Sequence, residues 1–378
     1  MKSARWIALV KINALSGLAQ IVQIGTISPL LSLSLQSREV ESAVAGVIIS
    51  ASWIAILLFH KITPYLLFRL GLVKANILSA AISVACILGM AHCDILIVLF
   101  LLNLGVGSGL ILRWIACDTW IVAVAGKDER GRALGLHETL MGLGIALGPL
   151  ILAVWGIEGV APYYVCAAIV AFSGILAATL ARCDFSPPVP REKKGKRLLG
   201  ILPVALFGAF VAGFSETSAV SFLAGYALAM GYVVVSAAIL VSVFGLGGTI
   251  LQLPLGFLAD KTTYRMGQFL CILIIVAVAI GIPFIHTLPL ITGVAVFCWG
   301  GVIGGMNTLA VIEAGNTVEE SQMSTAMSAI ALFYTVGSIT GPLVSGAFIS
   351  ILGPQGLLVA IGAVGAGGLL LLSRLKRD

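Results

Sequence analysis

The chain has 378 residues, 60% of them hydrophobic and only 10% charged, with a formal net charge of +6 and a mean hydropathy of +1.12. A soluble domain is nearer half apolar and a quarter charged, so in water this chain would expose large apolar areas. A soluble globule, a disordered chain, a collagen-like repeat and a coiled coil are all excluded.

The apolar runs are long and continuous, unlike the alternating ten-residue segments of a membrane barrel. Each fits a helix of about 20 residues crossing the hydrocarbon. Polar punctuation predicts twelve such spans, near residues 7–35, 43–66, 72–92, 94–122, 133–156, 162–181, 200–226, 232–259, 267–286, 288–314, 323–351 and 356–373. The first run is far longer than the 7–15-residue core of a signal peptide and reads as an uncleaved anchor. Alternate loops and both tails carry Lys2, Arg5, Arg69, Lys74, Lys127, Arg130, Arg132, Arg182, Lys261, Arg265 and Arg374, whereas the opposite loops carry only Arg38. By the positive-inside rule both termini are expected in the cytoplasm, with an even number of spans, in a cell inner membrane. Topology thus accounts for the basic charge, and no nucleic-acid partner is expected. The seven cysteines are scattered without a C-x-x-C pair, so they indicate neither a disulfide framework nor a metal site.

The longest hydrophilic stretch, Arg182 to Arg197, holds three prolines and a basic cluster, the composition of a linker. It divides the chain into residues 1–181, a linker at 182–199, and residues 200–378. Sliding the sequence by 193 residues lays GIALGPL (Gly144 to Leu150) on GSITGPL (Gly337 to Leu343), Ala133 on Ala326 and Gly107 on Gly300. A duplicated six-span unit explains these matches in the correct element order. Repeated halves around a midplane site are a common build of secondary transporters.

Three further motifs carry a family resemblance. GFLADKTTYR (Gly256 to Arg265) follows the eighth span, PYLLFRLGLVK (Pro64 to Lys74) follows the second, and ERGRALG (Glu129 to Gly135) follows the fourth. Together with the two GxxxGP elements they resemble the major facilitator superfamily across the whole chain. Phe68 stands where that family's first loop has an aspartate, Thr263 where the second loop has a glycine, and Leu152 where the antiporter motif has a glycine. The resemblance implies an all-α membrane protein of twelve transmembrane helices in two pseudo-symmetric six-helix bundles. It also implies that spans one, four, seven and ten line a central cavity.

An ionisable side chain in hydrocarbon costs at least about 2.5–3.5 kcal/mol, so each one calls for a partner, a wet cavity or a function. Glu216 falls near the middle of span seven, and the 193-residue shift matches it to Gln23. It is either an acid hydrogen-bonded to a neighbouring helix or a proton carrier; proton coupling is the expectation, with Glu138 as a second candidate. Asn13, Ser16, Gln20 and Gln23 share one helical face, either as interhelical hydrogen bonds or as the lining for a polar substrate. Span four carries Trp114 and Asp118 on one face with Arg113 beside it, and span ten carries Trp299, Met306 and Glu313 as a second stripe. Asn13, Gln20, Gln23, Arg113, Trp114, Phe222, Trp299 and Asn307 are the substrate-binding candidates. Arg113 needs a carboxylate or an anionic substrate group, and the aromatic rings can stack on a flat ligand or simply pack. Asp118 and Glu313 come late in inward-running spans and are expected at the cytoplasmic mouth. With Arg130, Arg132, Asp260 and Arg265 they form a candidate gating network.

His137 and Glu138 open an H-E-x-x-H pattern, but Met141 occupies the second histidine's place, so no zinc protease is indicated. GVGSG (Gly105 to Gly109) imitates a dinucleotide loop inside a span and reads as close helix packing. No G-x-x-x-x-G-K-[ST] occurs, which leaves ATP-driven pumping without support. The expected function is a proton-coupled secondary transporter of a small organic molecule working by alternating access, with efflux by antiport favoured from the GxxxGP elements. Uptake of a sugar, vitamin or organic anion is the alternative; a lipid scramblase or a sensor is a further one. The expected partners are the small-molecule substrate, protons and the bilayer. No cofactor, metal or enzymatic activity is expected, and a monomer is.

Overall fold

A computed structural model of the protein describes residues 2–125, 129–184, 187, 202–252, 254–255, 263–319 and 322–374. Those residues contain helices and no strand. Hydrocarbon offers the backbone no hydrogen-bond partners, and an α-helix satisfies all of its own. In chain order the helices are α1 (Lys2–Gln23), α2 (Ile27–Ser37), α3 (Ser42–Phe59), α4 (Thr63–Ala91), α5 (Leu96–Val124), α6 (Arg130–Leu147), α7 (Leu150–Trp155) and α8 (Ala161–Ala178). Then follow α9 (Pro203–Ala229), α10 (Val234–Ile250), α11 (Tyr264–Ile285), α12 (Pro289–Thr317), α13 (Met323–Leu352) and α14 (Gly356–Arg374). Ten described segments are long and apolar enough to cross a membrane; the last, Thr325–Arg374, holds both α13 and α14, and α10 is a shorter apolar helix. The arrangement is consistent with twelve spans.

Three expected spans are interrupted or shortened, each for a visible reason. The first divides between α1 and α2, where the Thr26 hydroxyl donates to the carbonyls of Ile21 (2.8 Å) and Gly148 (2.9 Å). The fifth divides into α6 and α7 at Pro149, which has no backbone N–H to continue the ladder. The second ends at Phe59, seven residues before the predicted boundary of 66, and α4 begins at Thr63 with a kink at Gly71 (φ 76°). Asp184 holds that kink: its Oδ1 accepts the Val73 N–H at 3.0 Å. A carboxylate from the segment after α8 therefore caps the kink in α4.

The chain forms two compact units, one of Met1–Leu31 with Ala51–Arg191, the other of Ser32–Ser50 with Glu192–Asp378. The short segment Ser32–Ser50 groups with the second: the Ala43 N–H meets Ser350 Oγ at 2.9 Å and the Ser50 hydroxyl donates to the Ile339 carbonyl at 2.9 Å. In the first unit α1 packs on α5, α6 and α8, and α4 packs on α5 and α8. Its core gathers Ile12, Leu67, Leu72, Leu112, Trp120 and Leu180. In the second unit α9 packs on α13, α10 on α12, and α11 on α12 and α14. There Leu202, Leu206, Ala209, Ala310 and Ile330 form a core.

The repeated GxxxGP elements do the same work in each unit. A Cβ on Gly148 would lie 2.5 Å from the Cα of Gly25, and one on Gly341 would lie 2.5 Å from the Phe214 carbonyl oxygen. Only glycine lets α6 approach the first span and α13 approach α9 so closely. Gly107 and its shifted counterpart Gly300 likewise meet the backbones of Ser52 and Phe244. GVGSG is a helix-packing element.

Candidate functional site

The first unit holds a buried cation. Arg113, 3% exposed, points from α5 at the polar face of α1. Its Nε donates to Gln23 Oε1 at 2.9 Å, one terminal nitrogen to Gln20 Oε1 at 2.6 Å, and the other to Ser16 Oγ at 2.5 Å. Ser16 passes its own proton toward Met141 Sδ at 3.4 Å. The Gln23 amide nitrogen donates to Ser83 Oγ on α4 at 2.8 Å. The 3–4 spacing on α1 thus becomes three acceptors for one guanidinium. These acceptors are all neutral. A buried cation is tolerable only with its donors satisfied, and the two glutamines do this without supplying a countercharge.

One turn toward the start of α1, Asn13 faces α6. Its amide nitrogen donates to the Leu9 carbonyl at 2.9 Å, and its Oδ1 meets His137 Nδ1 at 2.9 Å. The other ring nitrogen, Nε2, lies 3.4 Å from Asp118 Oδ1. Asp118 therefore meets a histidine of its own unit, a partner the sequence reading did not name beside Arg130, Arg132 and the opposite half. The side chains of Arg130 and Arg132 lie outside the described residues, as does Asp260. Glu138, next to His137, is exposed.

The second unit carries the opposite charge on a comparable frame. Glu216 is the central residue of α9, and its Oε2 accepts the hydroxyl of Tyr334 on α13 at 2.7 Å. The 193-residue shift relates Glu216 to Gln23 and Tyr334 to Met141, two residues that approach Arg113 in the first unit. The helix pair that surrounds the guanidinium of Arg113 in the first unit therefore corresponds to the pair that carries the Glu216 carboxyl in the second.

The remaining candidates are dispersed. Trp299 is buried, its indole N–H donates to Ser215 Oγ at 2.9 Å, and its ring stands edge-on to Phe244 at 5.2 Å. Phe222 lines a cavity of about 40 Å³ with Ser32, Gln36, Gly225 and Tyr226. Trp114 is half-buried and Asn307 exposed. Glu313 is buried beside the backbone N–H of Ala205, in the first turn of α9, where a helix N-terminus favours negative charge. The Arg265 guanidinium donates to the Leu372 carbonyl. Sequence reasoning missed His137, Tyr334 and Asp184. For Tyr334 a signal existed, since the repeat lays it on Met141.

A sequence model of the Major Facilitator Superfamily matches residues 12–319 and 205–378. The chain belongs to this superfamily. It is 26% identical to "Uncharacterized MFS-type transporter YfkF" of Bacillus subtilis (strain 168) over 92% of this chain and 89% of that one. Its fold is similar to the crystal structure of a mutant of the nucleoside transporter NupG, with a TM-score of 0.81 at 14% identity, covering 98% of this chain and 100% of the other. A bacterial homologue of the human lysosomal transporter Spinster, inward-facing and unoccupied, aligns with a TM-score of 0.80 at 16% identity over 98% and 96% of the two chains. The chain is thus a multi-pass membrane transporter of the major facilitator type and not an enzyme. Its buried polar groups stand within a transporter fold.

Proposed function

We propose that this major facilitator protein is a proton-coupled secondary transporter of a small organic molecule, acting as a monomer in the inner membrane with both termini in the cytoplasm. The observation that carries the reading is Glu216: a carboxylate at the centre of a long apolar helix, hydrogen-bonded to the neutral Tyr334. Intramembrane acids are costly and mark proton or substrate pathways. Glu216 carries the proton in this reading, and Tyr334 orients its carboxyl. Asn13, Gln20, Gln23, Arg113, Trp114, Phe222, Trp299 and Asn307 remain the proposed substrate contacts, and Asp118, Arg130, Arg132, Asp260, Arg265 and Glu313 the proposed gating set. Efflux by antiport is the preferred direction, supported by the GxxxGP elements. Uptake of an organic anion is the second reading, supported by Arg113, whose hydrogen-bond acceptors are all neutral.

A thermal-stabilisation screen of the detergent-solubilised protein identifies the ligand, because a ligand bound to the folded state raises stability by mass action. Proteoliposomes loaded with that ligand then test coupling. An imposed pH gradient is expected to accelerate its flux, and flux indifferent to the gradient would refute the proposal.

A further inference from the structure

A second polar chain in the first unit has a property that hydrogen-bond accounting alone reveals. The Asn13 amide nitrogen faces the Leu9 carbonyl at 2.9 Å, an atom that can only accept. The orientation of that amide is therefore fixed, and Asn13 Oδ1 is the atom presented to His137 Nδ1 at 2.9 Å. An amide oxygen only accepts. His137 Nδ1 must carry a hydrogen, whatever the charge on the ring.

In a neutral imidazole the second nitrogen is then a bare lone pair. That nitrogen, Nε2, faces Asp118 Oδ1 at 3.4 Å. Both atoms are shut off from solvent, and neither has another hydrogen-bond partner. Two acceptors facing one another in a buried site are unfavourable on both sides. One proton between them resolves the conflict, either as imidazolium with carboxylate or as imidazole with carboxylic acid. His137 is fully buried, while the Asp118 side chain is 37% exposed, so the pair has an accessible end and a sealed end.

We infer that His137 and Asp118 together bind one proton, held in place by Asn13, at a site distinct from Glu216. Loading takes one proton from water onto the pair: the charge of the two residues goes from −1 to 0, and no bond other than N–H or O–H is made. Arg113 and Cys117 on α5 and Glu138 on α6 act electrostatically on Asp118, and Glu138 also acts on His137. From α1 the group in contact is the neutral Asn13, with Lys11 turned to Thr179 at 3.0 Å. The side chains at the start of α6 lie outside the described residues. The inference deepens the proton-coupled reading by adding a proton site in the first unit, and its test does not depend on transport.

The chain has four histidines, His60, His92, His137 and His286, so nitrogen-15 labelling of histidine gives a spectrum simple enough to read ring protonation directly. His137 is identified as the set of signals lost in His137→Gln. If that variant does not fold, it is the set altered by Asp118→Asn. The expected result is a ring that is Nδ1–H throughout and gains an Nε2 proton as pH falls. In Asp118→Asn the side-chain amide can donate to Nε2, so the doubly protonated signal should be lost over the same range. An Nε2–H ring with bare Nδ1, or four histidines indifferent to Asp118→Asn, would overturn the inference. Flux that ignores a pH gradient, with the His137 signals as expected, would remove proton-coupled transport and leave the site standing. Proton-driven flux with His137 signals unmoved by Asp118→Asn would remove the site and leave the transport reading.

Discussion

Replacing Glu216 by glutamine separates its charge from its place in the packing. The Glu216–Tyr334 contact is 2.7 Å, and a glutamine retains an oxygen that can accept the same hydroxyl. What is lost is the difference between a charge-assisted and a neutral hydrogen bond, about 0.5–1.5 kcal/mol from the usual ranges for the two. Even if all of this appeared in ligand affinity, it would amount to about tenfold at most. Counterflow of labelled ligand in proteoliposomes, which needs no proton movement, should therefore persist in Glu216→Gln within about tenfold of the parent rate. Flux driven by a pH gradient should vanish. Glu216→Leu is a harsher control: it leaves the Tyr334 hydroxyl without this acceptor, at about 1–3 kcal/mol if that hydroxyl stays buried, and is expected to lower thermal stability as well. Driven flux in Glu216→Gln equal to that of the parent protein would refute the role given to this residue. Loss of counterflow together with driven flux would show that Glu216 holds the substrate or the fold.

Other perturbations test the remaining structure. Arg113→Met strands the acceptors of Gln20 and Gln23, each worth about 1–3 kcal/mol when buried and unpaired; the expected outcome is a large fall in melting temperature. Recovery is expected in the triple variant Arg113→Met, Gln20→Leu, Gln23→Leu, which removes both sides of the network, while ligand binding stays lost. Gly341→Val forces a side chain against the Phe214 carbonyl, 2.5 Å from where its Cβ would sit, and should cost about 1–3 kcal/mol or more; Gly135→Ala, with nothing within 4 Å, should leave size-exclusion profiles unchanged. Asp184→Ala removes the acceptor for the Val73 N–H, a loss of about 1 kcal/mol by analogy with helix caps, whereas Asp184→Asn keeps an acceptor and should unfold close to the parent temperature.

The fold class was legible because the bilayer imposes one backbone solution on any long apolar run. The two related halves were legible because Gly148 and Gly341 cannot change without separating the helices they join. The polar stripe of α1 was visible from its spacing, and it does gather Arg113. What the stripe meets was not visible: for Arg113 the sequence offered a carboxylate or an anionic substrate group, and the side chains around it are two glutamines and a serine. Contacts between α1, α5 and α6 depend on helix rotation and crossing, which spacing within one helix does not set. His137 illustrates this. Beside Glu138 it reads as a broken zinc motif, yet its partners lie 124 residues before it and on a third helix.

Calorimetry of ligand binding in buffers of different ionisation enthalpy tests proton coupling most directly, because it counts the protons exchanged as ligand binds. A heat that varies with buffer in the parent protein, and varies less in Glu216→Gln, is the predicted result. Tight binding with the same heat in every buffer across the working pH range would contradict the account.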